Sequence, residues 1–94
     1  MRLLRVVEST NNKKKFDAFF DINGVEKKVS FGAKGMSDYT IHKDPVRRNR
    51  YILRHQPRED WTDPLKPGTL SRYILWEKTD LNNAISAYKK RFNV

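Results

Sequence analysis

The chain has 94 residues, no cysteine, and 20 Lys plus Arg against 11 Asp plus Glu, a net charge of +9. That length fits a single domain over residues 1–94. The lack of cysteine excludes a disulfide framework or thiolate zinc site, and two histidines cannot complete a zinc finger. No run approaches the roughly 18 apolar residues of a membrane span. The opening Met1–Arg5 is too short and too charged for a signal peptide, so the expected setting is cytosol, nucleus, or an assembly built there.

In chain order, Met1 to Glu8 reads as an edge strand, with Leu3, Leu4, Val6 and Val7 set among Arg2 and Arg5. A polar loop ends in Lys13, Lys14 and Lys15. The Asn23-Gly24 dipeptide then predicts a type I′ hairpin, because both residues accept the positive φ that this turn requires. Counting outward pairs Ile22 with Val25, Phe20 with Lys27, Ala18 with Val29 and Phe16 with Phe31. Alternation puts Phe16, Ala18, Phe20, Ile22, Val25, Val29 and Phe31 on one apolar face. The opposite face carries Asp17, Asp21, Glu26 and Lys28, with Phe19 as the exception. A lone hairpin is not stable in water, so helices must cover the apolar face.

Gly32 and Gly35 predict a loop continuing to Lys43. Asp44 followed by Pro45 is a helix start, a side-chain acceptor before a ring with preset φ, and this helix runs to about His55. Pro57 stops it and makes Arg58 a doubtful member. Residues 57–68 form a loop anchored by Trp61. Thr69 is read as the N-cap of a segment from Leu70 to Glu77 that periodicity assigns equally to helix or strand. Asp80 caps a final helix whose Leu81, Ile85, Tyr88 and Phe92 form one face. The predicted fold class is α+β: an N-terminal antiparallel sheet of about three strands, packed by two or three C-terminal helices.

The densest basic feature holds Arg47, Arg48, Arg50, Arg54 and Arg58. Such a stripe suits the backbone phosphates of a nucleic acid, each contact releasing roughly one counterion. The competing reading pairs these arginines with Asp38, Asp44, Glu59, Asp60 and Asp63, since residues 35–60 hold six basic and four acidic side chains. A second basic set is Lys13, Lys14, Lys15, Lys27 and Lys28, which either extends a basic surface or is simply solvated. Lys89 to Arg91 complement the dipole of the last helix without needing a ligand. Trp61, Trp76, Tyr73 and Tyr88 are read as core residues before stacking platforms.

His42, Asp44, His55, Glu59, Asp60 and Asp63 are the right residue types for a metal-dependent nuclease, but their spacing matches no ligand motif. No Gly-rich phosphate loop or nucleophile elbow is present. The sequence therefore implies no cofactor or metal and favours binding over catalysis.

Phe31, Gly32, Gly35, Ser37, Asp38 and Tyr39 begin a longer pattern. It continues through His42, Asp44, Arg47, Arg48, Arg50, Tyr51, Arg54 and His55, then Glu59, Trp61, Leu70, Arg72, Leu75 and Trp76, and ends on Tyr88 to Phe92. It resembles a family of small uncharacterised proteins of giant nucleocytoplasmic large DNA viruses of algae and amoebae. The resemblance implies a viral origin and an association with packaged DNA or the virion, and it identifies no catalytic residue. The leading expectation is a basic accessory protein that contacts nucleic-acid phosphates, DNA favoured, without reading sequence. The alternative is a minor structural protein of a virion or assembly that binds an acidic partner, and a nuclease stands third.

Overall fold

Residues 1–94 are described by a computed structural model. Three strands, β1 (Arg2–Glu8), β2 (Lys14–Ile22) and β3 (Val25–Ala33), form an antiparallel sheet in the order β1-β2-β3. Asn23 at φ 54 and Gly24 at φ 85 make the turn between β2 and β3. The register counted from that dipeptide holds at every predicted pair, from Ile22 with Val25 to Phe16 with Phe31. In β1, Leu3 and Val6 lie three apart, a spacing that strict alternation places on opposite faces. A register shift between Leu3 and Arg5 sets Leu4 out of the ladder, so that both Leu3 and Val6 pack against the core.

The loop expected from Gly32 starts later, because β3 continues through Gly32 to Ala33. Gly32 sits at φ +78, and a Cβ there would lie 2.9 Å from Leu75 Cδ1 and 3.1 Å from Lys15 Cβ. Gly32→Ala therefore combines backbone strain with a clash against the core. The expected cost is about 1–3 kcal/mol, read as a lower urea midpoint at unchanged m-value.

The next segment, read as loop, contains one helical turn, α1 (Tyr39–His42), whose N-cap Asp38 accepts from the Thr40 N–H at 2.9 Å. Asx acceptors favour such turns wherever the backbone can close on them. Helix α2 (Pro45–His55) starts as predicted, with Asp44 accepting from the Val46 N–H at 2.9 Å. A 3₁₀ turn, Gln56–Arg58, carries the chain one step further, so Pro57 tightens the helix end without ejecting Arg58 from it.

Helix α3 (Pro67–Leu70) runs on as a π-helical segment, Ser71–Leu75, which settles the helix-or-strand ambiguity as helix. Thr69 is not its N-cap; Lys66 holds that position and Pro67 supplies the preset φ. Thr69 is instead fully buried inside the turn, donating through Oγ1 to the Asp60 carbonyl at 3.3 Å. Helix α4 (Leu81–Phe92) is capped by Asp80, which accepts from the Asn82 N–H at 2.9 Å.

The core lies between the sheet and the two C-terminal helical pieces. Leu3, Ala18, Phe20, Val29 and Phe31 of the sheet meet Leu70, Ile74 and Leu75 of the α3 unit and Tyr88 of α4. Tyr88 is buried, and its hydroxyl donates to the Pro64 carbonyl at 2.5 Å, tying α4 to the preceding loop. Burial, with the nearby Asp63 charge, raises the Tyr88 phenol above its ordinary value. No residue of α2 belongs to this cluster.

The other sheet face departs from a simple solvated surface. Asp17 is 2 % exposed and accepts from Ser9 Oγ at 2.7 Å and Ser30 Oγ at 2.6 Å. Burial alone would raise its carboxyl, but these hydroxyl bonds outweigh that and hold it below the usual value. Phe19 is covered by the Arg5 guanidinium, 4.0 Å from the ring centroid, and Arg5 in turn pairs with Glu26 at 2.9 Å.

Candidate functional site

The basic residues singled out in the sequence separate into distinct groups. Helix α2 turns Arg48, Tyr51, Ile52 and His55 toward the rest of the molecule, a stripe at helical spacing. Arg48 Nε donates to the Trp76 carbonyl at 2.8 Å, and its Nη2 meets Glu77 Oε1 at 2.5 Å. Arg48 is thus a structural tie between α2 and the end of the α3 unit, not a free cation. Tyr51 is buried between Trp76, stacked at 4.2 Å and 4°, and His55, stacked at 4.2 Å and 28°. Burial, reinforced by the Glu59 charge, pushes its phenol up to about 12.

Arg47, Arg50, Arg54 and Arg58 are exposed, and none enters an ion pair. The nearby carboxylates are engaged elsewhere. Asp38 binds Lys15, Asp44 caps α2, and Asp60 and Asp63 accept from the backbone N–H groups of Thr62 and Leu65. Glu59 accepts from Trp61 Nε1 at 2.6 Å and lies 3.8 Å from His55 Nδ1. Local neutralisation of the arginine stripe therefore does not occur. The reason is geometric: short Asp side chains close turns on their own backbone more readily than they reach an outward-facing helix.

The lysines are not one patch. Lys27 and Lys28 are exposed on β3 near the Asn-Gly turn, whereas Lys14 pairs with Ala33 at the far end. Ala33 lies five and six residues along β3 from Lys28 and Lys27, about 17–20 Å at the rise of an extended chain. Lys28 also shares its face with Asp17, Asp21 and Glu26, so that surface is not cationic as a whole. Lys13 is exposed on the loop. Lys15 is drawn inward, 12 % exposed, by its 2.5 Å pair with the nearly buried Asp38.

A cleft of about 370 Å³ opens where the far end of the sheet, the C-terminal half of α2 and the start of α3 meet. It brings Lys14 and Lys15 from the hairpin set together with Arg54 and His55 from the arginine helix. Its wall includes Gly68, where a Cβ would lie 2.7 Å from Glu59 Oε1, so glycine lets that carboxylate settle against the first turn of α3.

Sequence reasoning missed the role of Glu77. This one carboxylate collects Arg48 at 2.5 Å, Arg72 at 2.9 Å and Arg91 at 3.9 Å. Burial raises its carboxyl, but the hydrogen bonds from Arg72 and Arg48 win and hold it below the usual range. Arg72 also lies over Tyr73 at 4.8 Å and Trp61 at 5.4 Å, and Arg91 lies over Tyr73 at 4.2 Å. Trp61 does anchor its loop, through this contact and Glu59. Arg91 therefore does more than complement the helix dipole. Nothing in the local sequence around Glu77 marks it, since its partners come from three separate elements.

The metal candidates do not converge. No group of three or more His, Asp or Glu side chains stands close enough to hold an ion. His42 Nδ1 accepts from the Asp44 N–H at 2.9 Å and its ring packs 5.2 Å from Trp76, so it braces the junction between α1 and α2. No helix is long and apolar enough to cross a membrane.

No curated protein and no solved structure matches the chain. A family model does match residues 4–55, from β1 through the last residue of α2, which is more than half of the sequence. The chain belongs to that family, the family of unknown function DUF5754.

Proposed function

We propose that this protein is a small basic nucleic-acid-binding accessory protein that contacts backbone phosphates without reading sequence, DNA being the favoured ligand. The observation that carries the reading is the outer side of α2: Arg47, Arg50 and Arg54, with Arg58 on the following turn, are exposed and free of carboxylate partners. Guanidinium groups so placed are available to phosphate oxygens at no cost in broken internal pairs. Lys13 and Lys14 lie at the adjoining end of the sheet and extend the same polyanion-facing role. Lys27 and Lys28 are at the opposite end and serve a separate contact. The viral setting implied by the sequence resemblance fits a role on packaged DNA, in host cytoplasm, nucleus or virion.

Gel-shift titration with duplex DNA at two salt concentrations tests the reading. Affinity is expected to fall steeply with salt, and Arg50→Ala is expected to lower the logarithmic salt slope by about 1 while weakening all sequences alike. Absence of binding at low salt sinks it.

One observation favours the second reading, an acidic protein partner in an assembly. Val46 and Leu53 are 57 % and 71 % exposed on the same side of α2 as the arginines. An apolar pair ringed by cations suits an acidic amphipathic surface. Leu53→Ser separates the two, because it should leave the salt-dependent DNA affinity intact and weaken only a protein contact.

A further inference from the structure

We infer that the cleft between the far end of the sheet and α2 is a binding site for a phosphorylated nucleoside, either free or as the phosphate-bearing end of a nucleic-acid strand. The inference rests on the polyanion reading above and names a ligand class for one part of that surface. Its volume of about 370 Å³ falls within the range of roughly 300–1,000 Å³ that small-molecule sites occupy.

The charges in the cleft are unevenly satisfied. Both carboxylates in the lining are committed: Asp38 to Lys15 and the Thr40 N–H, Glu59 to Trp61 and His55. The cations are not. Lys14 and Arg54 have no ion-pair partner, and they reach the cleft from two different elements. Lys15, 12 % exposed, uses one of its three ammonium N–H donors on Asp38, and the ammonium makes no other hydrogen bond. Spare donors on a largely buried ammonium that shares its cleft with two free cations favour a compact multiply charged anion over a single carboxylate.

The rest of the cleft is suited to what such a phosphate carries. Ala33, Met36 and Leu75 give an apolar side for a sugar or base. His55 ends the stacked column His55–Tyr51–Trp76 and is half-exposed, offering a ring on which a base can lie. A volume of about 370 Å³ is on the scale of one nucleotide, so an unpaired nucleotide or a strand end is the form proposed for it.

Fluorescence anisotropy with short single strands carrying a phosphate at one end, at the other end, or at neither tests the inference. A strand with a terminal phosphate is expected to bind at least about tenfold more tightly than the strand without. Lys14→Ala and Arg54→Ala should each shrink that ratio, whereas Arg47→Ala should weaken all three strands alike. Both altered side chains lack internal partners, so the fold is retained. Displacement by adenosine monophosphate but not by adenosine identifies a free nucleotide as sufficient; an intact ratio without displacement assigns the site to strand ends. Equal affinity for all three strands overturns the inference, even if salt-dependent duplex binding persists. A terminal-phosphate preference without duplex binding would instead overturn the broader phosphate-backbone reading and leave this one standing.

Discussion

Asp38→Ala is expected to lower stability by about 3–5 kcal/mol, the usual cost of stranding one member of a buried ion pair. Asp38 is 3 % exposed and Lys15 12 %. Removing the carboxylate leaves a largely buried ammonium with no counter-charge. The same change removes the N-cap of α1, since Asp38 Oδ1 accepts from the Thr40 N–H. A domain of this size is held by about 5–15 kcal/mol in total, so the variant should unfold at a far lower urea concentration. The double variant Asp38→Ala with Lys15→Met isolates the cause. Removing the stranded charge should recover part of the loss, and the part not recovered belongs to the cap. A double variant no more stable than Asp38→Ala would show that the ion pair is not what holds the β2 end to α1.

The second large effect is expected at Glu77. Glu77→Ala leaves Arg72, 11 % exposed, without its anionic partner and cuts the tie between Arg48 of α2 and the α3 unit. Two charge-assisted hydrogen bonds are lost at a site 21 % exposed, which suggests a cost of about 2–4 kcal/mol. Because α2 takes no part in the main core, this tie and the Tyr51–Trp76 stack hold it in place. Loosening of α2 should appear as faster amide hydrogen exchange over residues 45–55, with protection of β2 and β3 retained.

The acid response follows from the same carboxylate. The Glu77 pKa is held below its ordinary value of 4.5, so its contribution to stability is fully present above that value. It is lost as pH falls through the lowered folded-state pKa. Asp17 acts in the same direction through Ser9 and Ser30, with an ordinary value of 3.8. Urea unfolding at neutral and acidic pH should show a deficit for Glu77→Gln that is largest near neutrality and shrinks once both states are protonated. A deficit independent of pH would mean that the ion pairs are not its source.

Much of the fold was legible because local rules decide it. The Asn23-Gly24 turn fixed the β2–β3 register, and with side chains alternating along a strand the register named the core face. Asp44-Pro45 and Asp80 announced two helix starts, and Leu81, Ile85, Tyr88 and Phe92 gave the buried side of α4. Failures came where a local signal had two outlets. Thr69 could have capped a helix, but Pro67 had already started one. Gly32 suggested a loop, yet its positive φ serves a close approach of β3 to Leu75. The helical turn at Tyr39–His42 is one turn long and leaves no periodicity to detect.

The candidate site divides differently. The sequence by itself determined that this chain is basic, lacks cysteine and takes an α+β fold with an Asn-Gly hairpin and an arginine-bearing helix, because composition, turn dihedrals and helix caps act over a few residues. It could not determine which of its charges are free. Arg48 and Lys15 looked like their neighbours and are internally paired, while for Arg47, Arg50, Arg54 and Arg58 the sequence left phosphate binding and local pairing both open, and the fold leaves them unpaired. That decision belongs to the tertiary structure, since an ion pair depends on which elements meet in space. Glu77 draws arginines from α2, the π-helical segment and α4, and the cleft joins the end of a strand to the end of a helix some 40 residues away along the chain.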